Sequence, residues 1–71
     1  MPEMHFVDSS NVESIGYDPD ARELHVSFAN TGRTYVYYDV DEWVFDEFMQ
    51  ADSKGSYLNN TIKGNHDYAP L

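Results

Sequence analysis

Cysteine is absent from this 71-residue chain, so neither a disulfide nor a thiolate metal site can stabilise the fold. Basic residues are nearly absent too: four Lys and Arg stand against thirteen Asp and Glu, a formal net charge of −9. Phosphate backbones are bound through clustered cations, and Arg22 and Arg33 open successive predicted strands at opposite ends of a hairpin, so no basic stripe forms. No apolar run approaches the ~18 residues a membrane helix needs. The start, Met1-Pro2-Glu3-Met4-His5, has neither a basic nor an apolar leader region. A soluble, cytoplasmic protein with no membrane role is the expectation.

Chemistry-bearing patterns are missing as well. Ser9, Ser10 and Ser53 lack a nucleophile-elbow setting, and His5, His25 and His66 form no i,i+4 metal pair or triad order. Asp18-x-Asp20 begins like a calcium loop, but Ala21 and Arg22 follow where more oxygen ligands and a glycine are needed. No enzymatic activity, metal, cofactor or small-molecule substrate is expected.

What is present is ordered punctuation. A chain this short makes one domain with one small core, burying roughly 60% of the surface its unfolded form exposes. Residues 1–10 read as a lead-in, 11–68 as the domain and 69–71 as a tail. Val12 to Tyr17 alternates imperfectly and ends at the Asp18-Pro19-Asp20 turn. Leu24, Val26 and Phe28 alternate with Glu23, His25 and Ser27, which predicts a strand with one buried face and puts His25 on the wet one. Asn30-Thr31-Gly32 returns the chain into a third strand, Thr34 to Tyr38. There Tyr35 and Tyr37 point one way, with Val36 and Tyr38 on the other face as a candidate contact surface.

Helical spacing follows. Asp39, with Glu42 three residues on, can cap a helix, and Asp41 competes for that role. Val40, Val44, Phe48 and Ala51 form its core stripe, Phe45 and Met49 extend one flank, and Trp43 lies on the other. From Asp39 to Asp52 the chain carries six carboxylates and no cation. A helix N-terminus favours Asp41 and Glu42, but its dipole gives no reason for Asp46, Glu47 or Asp52. Ser53 is placed to cap a second short helix over Ser56 to Ile62, ended by Gly64. The predicted architecture is α+β: a three-stranded antiparallel β-meander followed by two short helices packed on one face.

Val7-Asp8-Ser9-Ser10, Ile15-Gly16-Tyr17-Asp18, Leu24-x-Val26-x-Phe28, Gly32-x-x-Tyr35-x-Tyr37-x-x-Val40, and Ala51-Asp52-Ser53-Lys54-Gly55 through Asn59 and Ile62-Lys63 together resemble the KTSC domain family. That family is named for a domain at the C-terminus of some lysyl-tRNA synthetases and also occurs as small stand-alone bacterial and phage proteins. The resemblance implies this fold and, through the synthetases, suggests RNA association. Ser56, Thr61 and Asn65 stand where similar members often carry Arg or Lys, which thins the basic character an RNA site would use.

Two binding roles follow. In the first, Tyr38, Asp39, Glu42, Trp43 and Asp46 dock on a basic or nucleic-acid-binding protein partner, an inhibitor-like role suited to a phage. Glu42 and Asp46 stand about 6 Å apart along a helix, comparable with phosphates on one strand, so the helix can act as a nucleic-acid mimic. In the second, Arg33, Tyr35, Tyr37, Lys54 and Lys63 bind RNA, with bases stacked on the tyrosines.

Overall fold

The computed structural model describes residues 2–71. Five strands form one antiparallel sheet in sequence order: β1 (His5–Phe6), β2 (Val12–Asp18), β3 (Glu23–Phe28), β4 (Thr34–Tyr37) and β5 (Tyr68–Pro70). Between β4 and β5 lie α1 (Glu42–Gln50), α2 (Lys54–Tyr57) and a π-helical turn, Leu58–Ile62. The α+β class and the central meander agree with the sequence, but the sheet has five strands rather than three. Both additions pair outside the meander, where local alternation carries no signal. β1 joins β2 within the expected lead-in, and β5 joins β4 where a tail was expected, so β4 lies inside the sheet.

A bulge between Val12 and Ser14 explains the imperfect alternation of β2. One extra residue places Val12 and Ile15 on the same face despite their spacing of three. That face meets Leu24, Val26 and Tyr37 from neighbouring strands, and Val40, Val44, Phe48, Leu58 and Ile62 from the helical side, in one core. Tyr17, Phe28, Tyr35, Phe45, Met49 and Tyr57 pack around its rim. Burial of each such aliphatic or aromatic side chain contributes about 1.5–3 kcal/mol, and in a chain with no cross-link these ten buried residues hold the fold.

The second face of the sheet is not simply wet. Ser14, His25, Ser27 and Val36 are all buried there. His25 was expected in solvent, but residues 2–4 cross this face: a Cβ built on Gly16, the cross-strand neighbour of His25, would lie 2.6 Å from the Met4 sulfur and 2.8 Å from the Glu3 carbonyl oxygen. Only glycine allows so close an approach.

The first helix begins at Glu42, later than the capping box required. Asp39 adopts a left-handed backbone (φ 57°), and Asp41 occupies the N-cap position without a capping hydrogen bond from its side chain. The Asp41 carboxylate is instead held by Arg22. At the next corner the sequence reading holds, since Ser53 Oγ accepts from the Ser56 amide at 3.2 Å. The helix so capped starts at Lys54 and loosens into the π turn, closed by the Lys63 amide donating to the Leu58 carbonyl at 2.8 Å.

Candidate functional site

Helix α1 packs Val44 and Phe48 into the core and turns its polar side outward. Trp43 sits on that side with 60% of its surface exposed. On a helix its neighbours one turn on are Asp46 and Glu47, both exposed. Asp39 and Glu42 precede it and are exposed too. Two of the six carboxylates are engaged: Asp41 by Arg22, and Glu47 by the Tyr57 hydroxyl, which donates at 2.7 Å. Burial, then the bond and charge of Glu47, push the Tyr57 phenol up to about 12. Among the described residues Glu42 and Asp46 have no cationic partner. Tyr38 lines a polar hollow with Asp39, His66, Asp67 and Tyr68. There its carbonyl contacts the His66 ring nitrogen at 3.0 Å.

A second surface lies where the β3–β4 hairpin meets the π turn. Phe28 and Tyr35 pack edge to face with centroids 5.7 Å apart, and Tyr68 follows at 5.9 Å from Tyr35. The Lys63 ammonium lies 5.8 Å from the Phe28 ring centroid. These side chains line two adjoining hollows of about 300 and 380 Å³ that also touch Asn11, Asn59 and Tyr37.

The proposed RNA residues are thus only partly assembled. Tyr35 and Lys63 come together, whereas Tyr37 is only 2% exposed and forms floor rather than platform. Burial, then the neighbouring Tyr68 and Tyr35, raises its phenol pKa above the usual value. Lys54 donates to the Ala51 carbonyl, closing the C-terminal end of α1, and borders a different hollow beside Asp8, Asp52 and Ser53. Arg33 is exposed at the hairpin end. Sequence reasoning missed Phe28 and Tyr68 as groove residues. Strict alternation gave Phe28 to the core, and Tyr68 lies in a strand too short to show a period.

The polar residues that invited other readings hold turns. Ser9 Oγ accepts from the Asn11 and Val12 amides, and Asp18 Oδ1 from those of Asp20 and Ala21.

The fold recurs in known proteins. The KTSC domain model matches residues 8–68. The chain belongs to the KTSC domain family. The crystal structure of a KTSC domain protein from Yersinia pestis superposes with a TM-score of 0.94 at 39% identity, covering 100% of this chain and 99% of that one. A Tsukamurella paurometabola protein is 42% identical over 60 residues, 84% of this chain and 88% of its own length. A lysine–tRNA ligase from Nostoc is 33% identical over 64 residues, 90% of this chain but only 11% of the ligase. No described helix of this KTSC domain is long and apolar enough to cross a membrane.

Proposed function

We propose that this KTSC domain is a non-catalytic binding module that docks the acidic outer face of α1 on a basic protein surface. The exposure of Trp43 carries this reading. A tryptophan left 60% accessible in so small a domain forgoes burial that the core could use, and Trp is enriched among the anchors of interfaces. Glu42 and Asp46, without cationic partners among the described residues, supply the charge that steers and orients a basic partner. Affinity capture from host lysate tests it. Trp43→Ala, and separately Glu42→Lys with Asp46→Lys, are expected to lose a basic protein that the wild type retains, with folding intact. Identical capture by all three proteins removes the proposal.

The groove favours a second reading, RNA association. Its support is Lys63 placed over Phe28 beside Tyr35, together with the relative that is a lysine–tRNA ligase. Stacking on aromatic side chains contributes ~1–3 kcal/mol per base, but ordinarily within a positive groove, and among the described residues Lys63 is the one cation lining this groove. Salt-sensitive binding of single-stranded RNA that is lost in Lys63→Ala and Tyr35→Ala would favour this reading. No binding at low salt removes it.

A further inference from the structure

The two edges of the sheet are not equivalent. At the β5 edge, the Leu71 amide donates to the Thr34 carbonyl and the Asp67 carbonyl accepts from the Tyr38 amide, each at 2.9 Å. Odd-numbered residues of β5 therefore use their backbone groups toward β4, and Tyr68 and Pro70 face out. Pro70 has no N–H to offer, a common protection of an edge. At the β1 edge the register pairs His5 with Ile15 and Phe6 with Ser14, and the Val7 amide donates to the Glu13 carbonyl at 3.1 Å. By the same alternation, the Phe6 N–H and C=O point away from β2, and neither residue of β1 is a proline that would withhold an N–H. The Phe6 side chain is 81% exposed.

Helix α1 runs beside this open edge. Its Phe45 ring lies 6.4 Å from His5 and stacks at 5.4 Å on Tyr17. At 100° per residue, Glu42 and Asp46 follow Phe45 around the same flank, turned outward. Successive side chains of a strand alternate between faces, so His5 faces α1 and Phe6 the opposite side.

We infer that the outer edge of β1 takes up an extended basic-apolar-basic segment of a protein partner as an added strand. The backbone of the middle residue pairs with Phe6, and its apolar side chain lies beside the Phe6 ring. The flanking Lys or Arg side chains project on the α1 side toward Glu42 and Asp46. This rests on the docking reading above insofar as both require a basic partner, and it adds the conformation and sequence pattern of the segment bound. Charge complementarity selects the occupant. A second copy would bring another net charge of −9, and its own β1, flanked by Glu3 and Asp8, offers these carboxylates no lysine or arginine.

The test uses the full chain and two synthetic peptides, acetyl-Thr-Lys-Val-Lys-Thr-amide and its counterpart with Glu for Lys. On saturation with the lysine peptide, hydrogen exchange at the Phe6 amide is expected to slow about tenfold or more, with no change from the glutamate peptide. Phe6→Pro deletes the outward N–H but spares the bonds to β2, and is expected to weaken the lysine peptide about tenfold, whereas Phe6→Ala keeps the N–H and retains more of the affinity. Unaltered Phe6 exchange, equal binding of both peptides, or no binding overturns strand addition. The exchange measurement needs no variant, so a misfolded Phe6→Pro protein does not decide the outcome. Peptide binding that shifts the Trp43 indole signal while Phe6 exchange stays unchanged overturns strand addition and leaves docking by α1 standing. Lysate capture indifferent to Trp43→Ala, with the Phe6 amide protected by peptide, removes the helix docking alone.

Discussion

The Tyr17 hydroxyl donates to the Val40 carbonyl at 2.5 Å, and the Val40 amide donates to the Arg22 carbonyl at 3.0 Å. The residue that leads into α1 therefore has both backbone groups satisfied by the first hairpin. Tyr17 also stacks on Phe45, so one side chain sets both the start and the roll of the helix. Tyr17→Phe keeps the stacking and deletes the bond, leaving the carbonyl of a fully buried residue without its partner. A loss of about 1–3 kcal/mol in urea unfolding is expected. An unchanged midpoint would mean that the hairpin does not fix the helix.

One residue earlier in that junction, strain is stored in a form that can be relieved. Asp39 holds φ at 57°, a region where a Cβ is disfavoured and Asp is tolerated better than most residues. Asp39→Gly should raise stability by up to about 1 kcal/mol and Asp39→Ala should lower it by a similar amount. Denaturant midpoints that move in the same direction for both variants would sink this account. The glycine variant also removes one carboxylate of the docking face without unfolding the domain, so it separates charge from stability.

Alkaline pH should weaken the fold through its tyrosines. The phenol of Tyr57 is pushed up to about 12, first by burial and then by Glu47, and that of Tyr17 is raised chiefly by burial. A folded pKa above the unfolded one means that the stabilisation is fully present below about pH 10 and declines as the pH rises through the folded value. Unfolding midpoints should therefore hold steady up to about pH 10 and fall from there toward about 12. In Tyr57→Phe the fall should be shallower. A variant with the wild-type profile would show that Tyr57 is not coupled to folding.

What the sequence disclosed was what repeats locally. The alternation of Leu24, Val26 and Phe28 and the Ser53 cap appear where spacing put them, because each depends on neighbours within a few residues, whereas spacing put Trp43 on a flank of its helix without deciding between core and solvent. β5 was illegible since three residues ending in Pro70 show no period, and their pairing partner lies in β4, more than thirty residues upstream. The burial of His25 escaped for the same reason. Alternation assigns a face but cannot say that Met4 and Pro2 will cover it.

That covered face yields a prediction. His25 is 6% exposed, and neither ring nitrogen has a hydrogen-bond partner among the described residues, with Glu23 at 3.5 Å. A buried polar group left without a bond costs about 1–3 kcal/mol, so His25→Leu should be neutral or stabilising where a buried substitution usually destabilises. Gly16→Ala should do the opposite. Its Cβ would collide with Met4 and Glu3, lifting residues 2–4 from the sheet and speeding proteolysis of that segment. A destabilised His25→Leu protein would point instead to a partner for the imidazole.

Trp43 offers the sharpest separation of stability from function. Its ring lies outside the core, so Trp43→Ala should change unfolding free energy by no more than about 0.5 kcal/mol, whereas removal of a buried aromatic such as Phe48 should cost about 3–5. Trp43 is the chain's one tryptophan, so its fluorescence reports on this site alone. In the free domain acrylamide should quench it nearly as well as it quenches a short peptide. Addition of a basic partner captured by the wild type should shift the emission to the blue and protect the ring from quenching. Emission that stays red and quenchable in a complex of proven stoichiometry would place the contact elsewhere on the domain, with Lys63 and Tyr35 the next residues to replace.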